Sequence, residues 1–150
     1  MSINLIIGAG IASVFGTSVI SQTVNATINT TYSLLSYFTY GITTDESIKH
    51  IKRRIEILDI TVKLKLAEKI IDIPADKKSL VQSTLETDIT DIIQNINILL
   101  KGINTKIEEH FQKWFSSYRS LKVTDDLEEL ETKCTLLDRR LKLIIDSSPH

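Results

Sequence analysis

The stretch VQSTLETDITDIIQNINILLKGINTKIEEHFQKW, residues 81–114, decides the fold. Its apolar side chains recur every three or four residues, which places them on one face of an α-helix. They are Val81, Leu85, Ile89, Ile92, Ile96, Leu99, Ile103, Ile107, Phe111 and Trp114. A helix of nearly forty residues would span about 55 to 60 Å. Gly102 weakens it by about 1 kcal/mol relative to alanine, so a bend or break is expected there if anywhere.

The preceding stretch, residues 45–73, has the same period and predicts one continuous helix. Its stripe consists of Ile48, Ile51, Ile55, Leu58, Val62, Leu66, Ile70 and Ile73. Thr43 followed by Glu46 matches a capping box, in which two side chains satisfy the free amides of a helix start. Pro74 ends the helix, because the residue before a proline is pushed out of helical geometry.

A third periodic stretch follows a connector at residues 116–123. Thr124 or Asp125 is suited to cap its start, and cationic side chains gather toward its C-terminal end, as the helix dipole favours. The stripe consists of Leu127, Leu130, Cys134, Leu137, Leu141 and Ile144. Amphipathic helices are stabilised mainly by burying their apolar faces, and short connections make neighbours antiparallel. We therefore predict an all-α fold: an antiparallel bundle of three long amphipathic helices plus one or two uncharged N-terminal helices.

The first 44 residues contain no Asp, Glu, Lys, Arg or His, so every ionisable side chain lies in residues 45–150. This asymmetry divides the chain into an uncharged helical segment, residues 1–44, and a charged bundle, residues 45–150. Within the uncharged segment an apolar stripe, with Tyr32 near the same line, predicts another amphipathic helix. The stripe consists of Val24, Ile28, Leu35 and Phe38, and the opposite neutral polar face of Asn25, Asn29, Ser33 and Ser36.

Residues 3–20 form an apolar run about as long as the 17 to 25 residues that cross a bilayer. Gly8, Ala12 and Gly16 lie four apart, so one face would let another backbone approach closely. The run is diluted by polar residues and has no Lys or Arg at either boundary. Three alternatives stay open: packing within the bundle or an oligomer interface, insertion into a membrane, or a poorly ordered N-terminus.

Patterns typical of catalytic or metal sites are absent from the sequence. His50, His110 and His150 lack the spacing of a zinc-binding helix, and Cys134 falls on an apolar stripe, where it is interpreted as a core residue. The 18 basic and 19 acidic residues give a net charge of −1, which argues against nucleic-acid binding through a basic field. We expect no enzymatic activity, no cofactor, no metal and no nucleic-acid partner.

The most distinctive segment is HFQKWFSSYR, residues 110–119. It gathers Trp114, Phe115, Tyr118 and Arg119, residue types that are enriched at the energetic centres of interfaces. The same side chains would also serve as a plug that closes one end of the bundle before the last helix. The plug is the favoured interpretation.

The segment also resembles a set of small helical proteins encoded by giant DNA viruses of the mimivirus type. Their C-terminal halves have a helix ending in H-x-x-K-W-F-x-x-[WY]-R and then a helix with L-D-x-R-[FL]. The matching positions are His110, Lys113, Trp114, Phe115, Tyr118, Arg119, Leu137, Asp138, Arg140 and Leu141. Upstream, Tyr32, Leu34 and Tyr37 and the unit Leu58, Asp59 and Ile60 are similar to the same set.

The resemblance implies a viral origin but no activity. Because Arg119 and Asp138 both belong to the matching positions, we predict that they form an ion pair. The sequence thus predicts a structural or protein-interaction protein of a virion or of the host cytoplasm. Its expected partner is a protein, itself or another, in a homo-oligomer or larger assembly. The alternative is a membrane-anchored or membrane-remodelling protein that inserts residues 3–20.

Overall fold

A computed structural model describes residues 17–40, 45–112 and 121–147. These ranges contain five α-helices and one short 3-10 helix, Ala75–Lys77, and no strand. The α-helices are α1 (Thr17–Tyr40), α2 (Glu46–Ile57), α3 (Ile60–Ile71), α4 (Leu80–Gln112) and α5 (Thr124–Ser147). The predicted all-α class is confirmed.

The longest helix, α4, lies at the centre of the packing and shares its largest interface with α5. Ser79 and Gln82 form a capping box at its start: the Ser79 amide donates to Gln82 Oε1 at 2.8 Å, and the Gln82 amide donates to Ser79 Oγ at 3.1 Å. The helix continues through Gly102, so the chain does not break there. Its buried apolar side chains are Ile89, Ile92, Ile93, Ile96, Leu100, Ile103 and Ile107.

The ends of the predicted α4 stripe differ from its middle. Val81 and Phe111 are exposed, and Leu85 and Leu99 are only half-buried. The predicted stripe is therefore buried at Ile89, Ile92, Ile96, Ile103 and Ile107, while its members in the first and last turns of α4 are exposed. In α5, by contrast, all six predicted stripe positions from Leu127 to Ile144 are buried.

The uncharged helix α1 packs against α4 and α3, and its buried residues belong to the same core as those of the charged helices. Val24, Ile28, Leu35 and Phe38 are buried, as their spacing predicts. On the opposite face Asn29, Ser33 and Ser36 are exposed and Asn25 is half-buried. Over the described length of α1, this uncharged helix therefore packs into the core in the same way as the charged helices.

The single helix predicted for residues 45–73 is wrong, because the chain breaks at Leu58 and Asp59. Asp59 has a φ of 53°, in the left-handed region, and α3 starts again at Ile60. The break rotates the apolar face, so that Val62, a member of the predicted stripe, is 60% exposed. In α3 a different stripe is buried, which keeps Ile70 from the predicted one; its residues are Ile60, Leu64, Ala67, Ile70 and Ile71.

The ends of α2 and α3 are closed by polar side chains. The N-cap of α2 is Asp45, whose carboxylate accepts from the amides of Ser47 at 2.9 Å and Ile48 at 3.4 Å. The predicted capping box with Thr43 is therefore wrong: that residue lies outside the described ranges, and the cap is Asp45. At the two C-termini, Lys63 Nζ donates to the Leu58 carbonyl, and Lys78 Nζ to the Ile71 carbonyl at 2.9 Å.

Candidate interaction surface

Most of the residues singled out in the sequence lie outside the described ranges. Residues 113–120 contain Trp114, Phe115, Tyr118 and Arg119, and residues 1–16 contain Gly8, Ala12 and Gly16. Asp138 is exposed on α5, but its expected partner Arg119 is not described. The ion pair between them, the plug and the small-residue face therefore stay predictions.

A buried polar contact joins α1 to α4. Asn97 Nδ2 donates to Thr31 Oγ1 at 2.9 Å, and Thr31 Oγ1 in turn donates to the Thr27 carbonyl at 2.7 Å. Both side chains are almost inaccessible to solvent. A buried amide without such an acceptor would carry a desolvation penalty, so this contact favours one register of α1 along α4.

A second buried contact is an ion pair beside the turn between α3 and α4. Lys78 Nζ lies 3.0 Å from Glu86 Oε1 and 2.8 Å from Oε2, and it also donates to the Ile71 carbonyl. The Lys78 side chain is 2% exposed. One ammonium therefore joins the last turn of α3 to the first turns of α4, and removal of either charge would leave the other buried and unpaired.

A third polar contact joins α1 to α3, where the Tyr32 hydroxyl donates to Glu68 Oε1. Burial raises the pKa of the Tyr32 phenol, and the hydrogen bond to Glu68 together with its negative charge raises this pKa further. The phenol therefore stays protonated well above neutral pH and remains a hydrogen-bond donor. It fixes the side of α3 that faces α1.

The one cysteine, Cys134, is buried in α5, as its place on the apolar stripe predicts. Burial raises the pKa of its thiol to about 12; the Lys63 ammonium opposes this shift, and the Asp138 and Glu131 carboxylates add to it. A thiol in this state is a poor nucleophile. In the part of the chain that the structure describes, no group of three His, Cys, Asp or Glu side chains is arranged to hold a metal ion.

Ion pairs on the surface tie α5 to its neighbours. Arg54 of α2 contacts Glu131 at 2.7 Å, and Lys106 of α4 contacts Asp126 at 2.6 Å. Near the opposite end of α4, Arg140 Nε lies 3.6 Å from Asp88 Oδ2, beyond hydrogen-bond distance. Exposed pairs of this kind contribute about 0 to 1 kcal/mol each, so they indicate the register of the helices rather than hold them together.

Two of the surface grooves in the described part of the chain lie beside α5. The first, which we call the α3–α5 groove, has a volume of about 320 Å³. It is lined by Leu66, Asp138, Arg139, Leu141, Lys142 and Ile145. Ile145 is 46% exposed. The groove thus combines apolar side chains with charged side chains of both signs, the pattern of an interface with an apolar centre and a polar rim.

The second, which we call the end groove, lies between the start of α4 and the end of α5 and has a volume of about 440 Å³. It is lined by Leu80, Val81, Thr84, Leu85, Leu143 and Ser147, none of which is ionisable. Leu80 is 84% exposed, and Val81 and Leu143 are also exposed.

Apolar residues that lie off the predicted stripes indicate both grooves in the sequence. Leu143 and Ile145 flank the buried Ile144 and therefore lie off the α5 stripe. An amphipathic helix packed on one face only does not need them. Surplus apolar residues of this kind indicate a second surface to be covered.

None of the helices in the described ranges is both long and apolar enough to cross a bilayer. Comparisons of the chain with family models, with curated proteins and with solved structures gave no match.

Proposed function

We propose that this protein is a non-enzymatic structural or protein-interaction protein that self-associates through the α3–α5 groove. The observation that carries the proposal is the combination of exposed Ile145 and half-buried Leu66 with charges of both signs around them. A two-fold interface between identical chains is self-complementary, since the axis brings the same patch of both molecules together. A rim that carries Asp138 beside Arg139 and Lys142 meets this condition.

The proposed architecture behind this surface is the antiparallel bundle. Two ion pairs support it: Lys106 with Asp126 joins late α4 to early α5, and Arg140 with Asp88 joins late α5 to early α4. Antiparallel packing on α4 leaves the outer side of α5, with Ile145, next to α3. The groove is therefore a consequence of how the bundle closes.

The proposed setting is an assembly of a virion or of the host cytoplasm. It rests on the resemblance to small helical proteins of giant DNA viruses, carried by segments such as Leu137 to Leu141 of α5. Asp138, one of the matching positions, also lines the α3–α5 groove. Self-association through this groove is compatible with a structural role, in which identical chains build a larger body.

Sedimentation velocity of the purified chain tests the proposal. We expect the natural protein to sediment as a dimer or larger species, and Ile145→Asp to convert it to a monomer, because a carboxylate would be buried at the centre of the interface. Ile98→Asp is the matched control, since Ile98 is 64% exposed and lines neither groove. A natural protein that is monomeric throughout, or two variants that behave alike, would contradict the proposal.

The competing function is membrane anchoring or remodelling by residues 3–20, and the apolar composition of that segment favours it. Phase separation in a nonionic detergent distinguishes the two. A structural protein of the proposed kind stays in the aqueous phase, whereas an anchored protein enters the detergent phase and leaves it when residues 1–16 are deleted.

A further inference from the structure

The end groove is an exposed apolar surface at a defined end of the bundle. Leu80 and Val81 belong to the first turn of α4, and Leu143 and Ser147 to the last turns of α5. Its lining carries no ionisable side chain. A charged or strongly basic partner would therefore find nothing to pair with, whereas an uncharged apolar segment would.

The first turn of α1 lies at the same end of the bundle. The hydrogen bond between Thr31 and Asn97 fixes the level of α1 on α4. At its other end α1 is followed within five residues by Asp45, whose carboxylate lies 3.8 Å from His110 near the end of α4, so α1 and α4 run in the same direction. From Thr31 back to Thr17 is about 21 Å along a helix, and from Asn97 back to Val81 about 24 Å, so both helices begin at nearly one level.

Residues 1–16, which precede α1, match the end groove in chemistry and in reach. They contain no ionisable side chain, and their apolar residues include Ile3, Leu5, Ile6, Ile7, Ile11, Val14 and Phe15. Sixteen residues reach at most about 50 Å when extended and about 24 Å as a helix. Either length is enough to return from Thr17 to a surface at the same end.

We propose that the end groove binds residues 1–16 of the same molecule. Docking there would remove from water both the groove side chains and the apolar side chains of residues 1–16. The α3–α5 groove shares no lining residue with the end groove and has charged side chains around it, so docking at the end groove does not depend on self-association there.

Paramagnetic relaxation in solution tests the proposal on the full chain. A nitroxide is attached to Thr84→Cys in the groove or, as the control, to Glu108→Cys, which is exposed about 36 Å further along α4. Cys134 does not compete for the label, because it is buried and its thiol has a pKa of about 12. We expect the amide signals of residues 1–16 to lose intensity with the label at residue 84 and to keep it with the label at residue 108.

Mixed samples and a lipid probe identify the other occupants. Isotope-labelled natural chain mixed with unlabelled, nitroxide-bearing Thr84→Cys chain reports only contacts between molecules, so signal loss that persists in that mixture would mean that the groove takes a second copy. Signals of residues 1–16 that respond only to a spin-labelled lipid in phosphatidylcholine vesicles would place the segment in a membrane. Either result, or no response to the label at residue 84, overturns the proposal.

A second variant guards against perturbation by the label. Leu143→Asp places a carboxylate in the groove and should increase the hydrogen-exchange rates of residues 1–16, while Ile98→Asp, a similar change away from the groove, should leave them unchanged. Equal rates in the two variants and the natural protein, with circular dichroism showing that all are folded, would also overturn the proposal.

Discussion

Helix α5 and the segment α2–α3 have equally regular apolar stripes in the sequence, yet only α5 is one helix. Its six stripe positions are all buried along a continuous Thr124–Ser147 helix. In residues 45–73 the predicted stripe is longer, with eight positions, but the chain breaks at Asp59, and α3 buries Ile60, Leu64, Ala67 and Ile71, which lie off that stripe, together with Ile70. Periodicity therefore identifies helical sequence but does not guarantee that one helix continues.

The difference lies in what holds each region. The buried side chains of α5 recur every three or four residues along the whole helix. The spacing of one part of the stripe therefore predicts the buried positions of the rest. Residues 60–71 contain two possible faces, and the face that is buried places Glu68 where it accepts a hydrogen bond from Tyr32, 36 residues earlier in the chain. A contact between residues this far apart leaves no period in the sequence.

We expect the largest effect from removing the Lys78 ammonium, which donates to the carbonyl of Ile71 at the end of α3. Lys78→Met leaves Glu86 buried without its partner and the Ile71 carbonyl without its donor, so we expect a loss of about 3 to 5 kcal/mol in the free energy of unfolding. Urea denaturation measures it. Lys77→Met, at an exposed neighbouring position, is the control and should change stability by no more than about 0.5 kcal/mol. Equal effects would show that the buried ion pair does not hold this turn.

The contact between α1 and α4 gives the next largest effect. Thr31→Val removes the nearer acceptor of the buried Asn97 amide, at 2.9 Å, and leaves it the Thr27 carbonyl at 3.5 Å, so it should cost about 1 to 3 kcal/mol. Thr30→Val loses the same kind of hydroxyl bond, from Oγ1 to the Ala26 carbonyl at 3.0 Å, but at an exposed position, so we expect a change within about 0.5 kcal/mol. Adding Asn97→Leu to Thr31→Val should recover part of the loss. If it deepens the loss instead, the pair is not coupled as described.

The apolar surroundings of α5 are tested by alkaline pH. Because the pKa of Cys134 is raised from 9.0 to about 12, its contribution to stability is fully present below pH 9 and is lost as the pH rises toward 12. Within this window its slope approaches about 1.4 kcal/mol per pH unit. Cys134→Ala should remove that part of the slope, measured by urea unfolding in reducing buffer between about pH 8 and pH 10. Parallel pH profiles of the two proteins would mean that the thiol is accessible to water.

We expect the smallest effects from alanine substitutions at Asp59, between α2 and α3, and at Gly102, within α4. Asp59→Ala places a Cβ-bearing residue without a local hydrogen-bonding side chain in the left-handed region and should cost about 1 kcal/mol. Gly102→Ala should instead stabilise α4 by up to about 1 kcal/mol, since an added Cβ meets nothing within 4 Å. Thermal unfolding of both variants gives the signs. A stabilising Asp59→Ala would mean that α2 and α3 form one helix in solution.

Part of this fold can be predicted from the sequence, and part cannot. The buried faces of α1 and α5 follow from spacing alone, because each is packed on one side by apolar neighbours. The break at Asp59 does not, since aspartate is compatible with an uninterrupted helix and the neighbours packed against the other face are remote in sequence. The sequence indicates the grooves through Leu143 and Ile145, which are apolar but lie off the α5 stripe. The other residues that line the grooves are known only once the packing of α3, α4 and α5 is known.

The uncharged N-terminal helix α1 packs into the same core as the charged helices. The most direct test is a nuclear Overhauser measurement on the isotope-labelled chain in buffer without detergent, between the Asn97 side-chain amide and the Thr31 side chain. We expect a cross-peak, because Asn97 Nδ2 lies 2.9 Å from Thr31 Oγ1 in the core. Absence of that cross-peak with both side chains assigned, and helical signals for residues 17–40 that arise only when lipid is added, would contradict it.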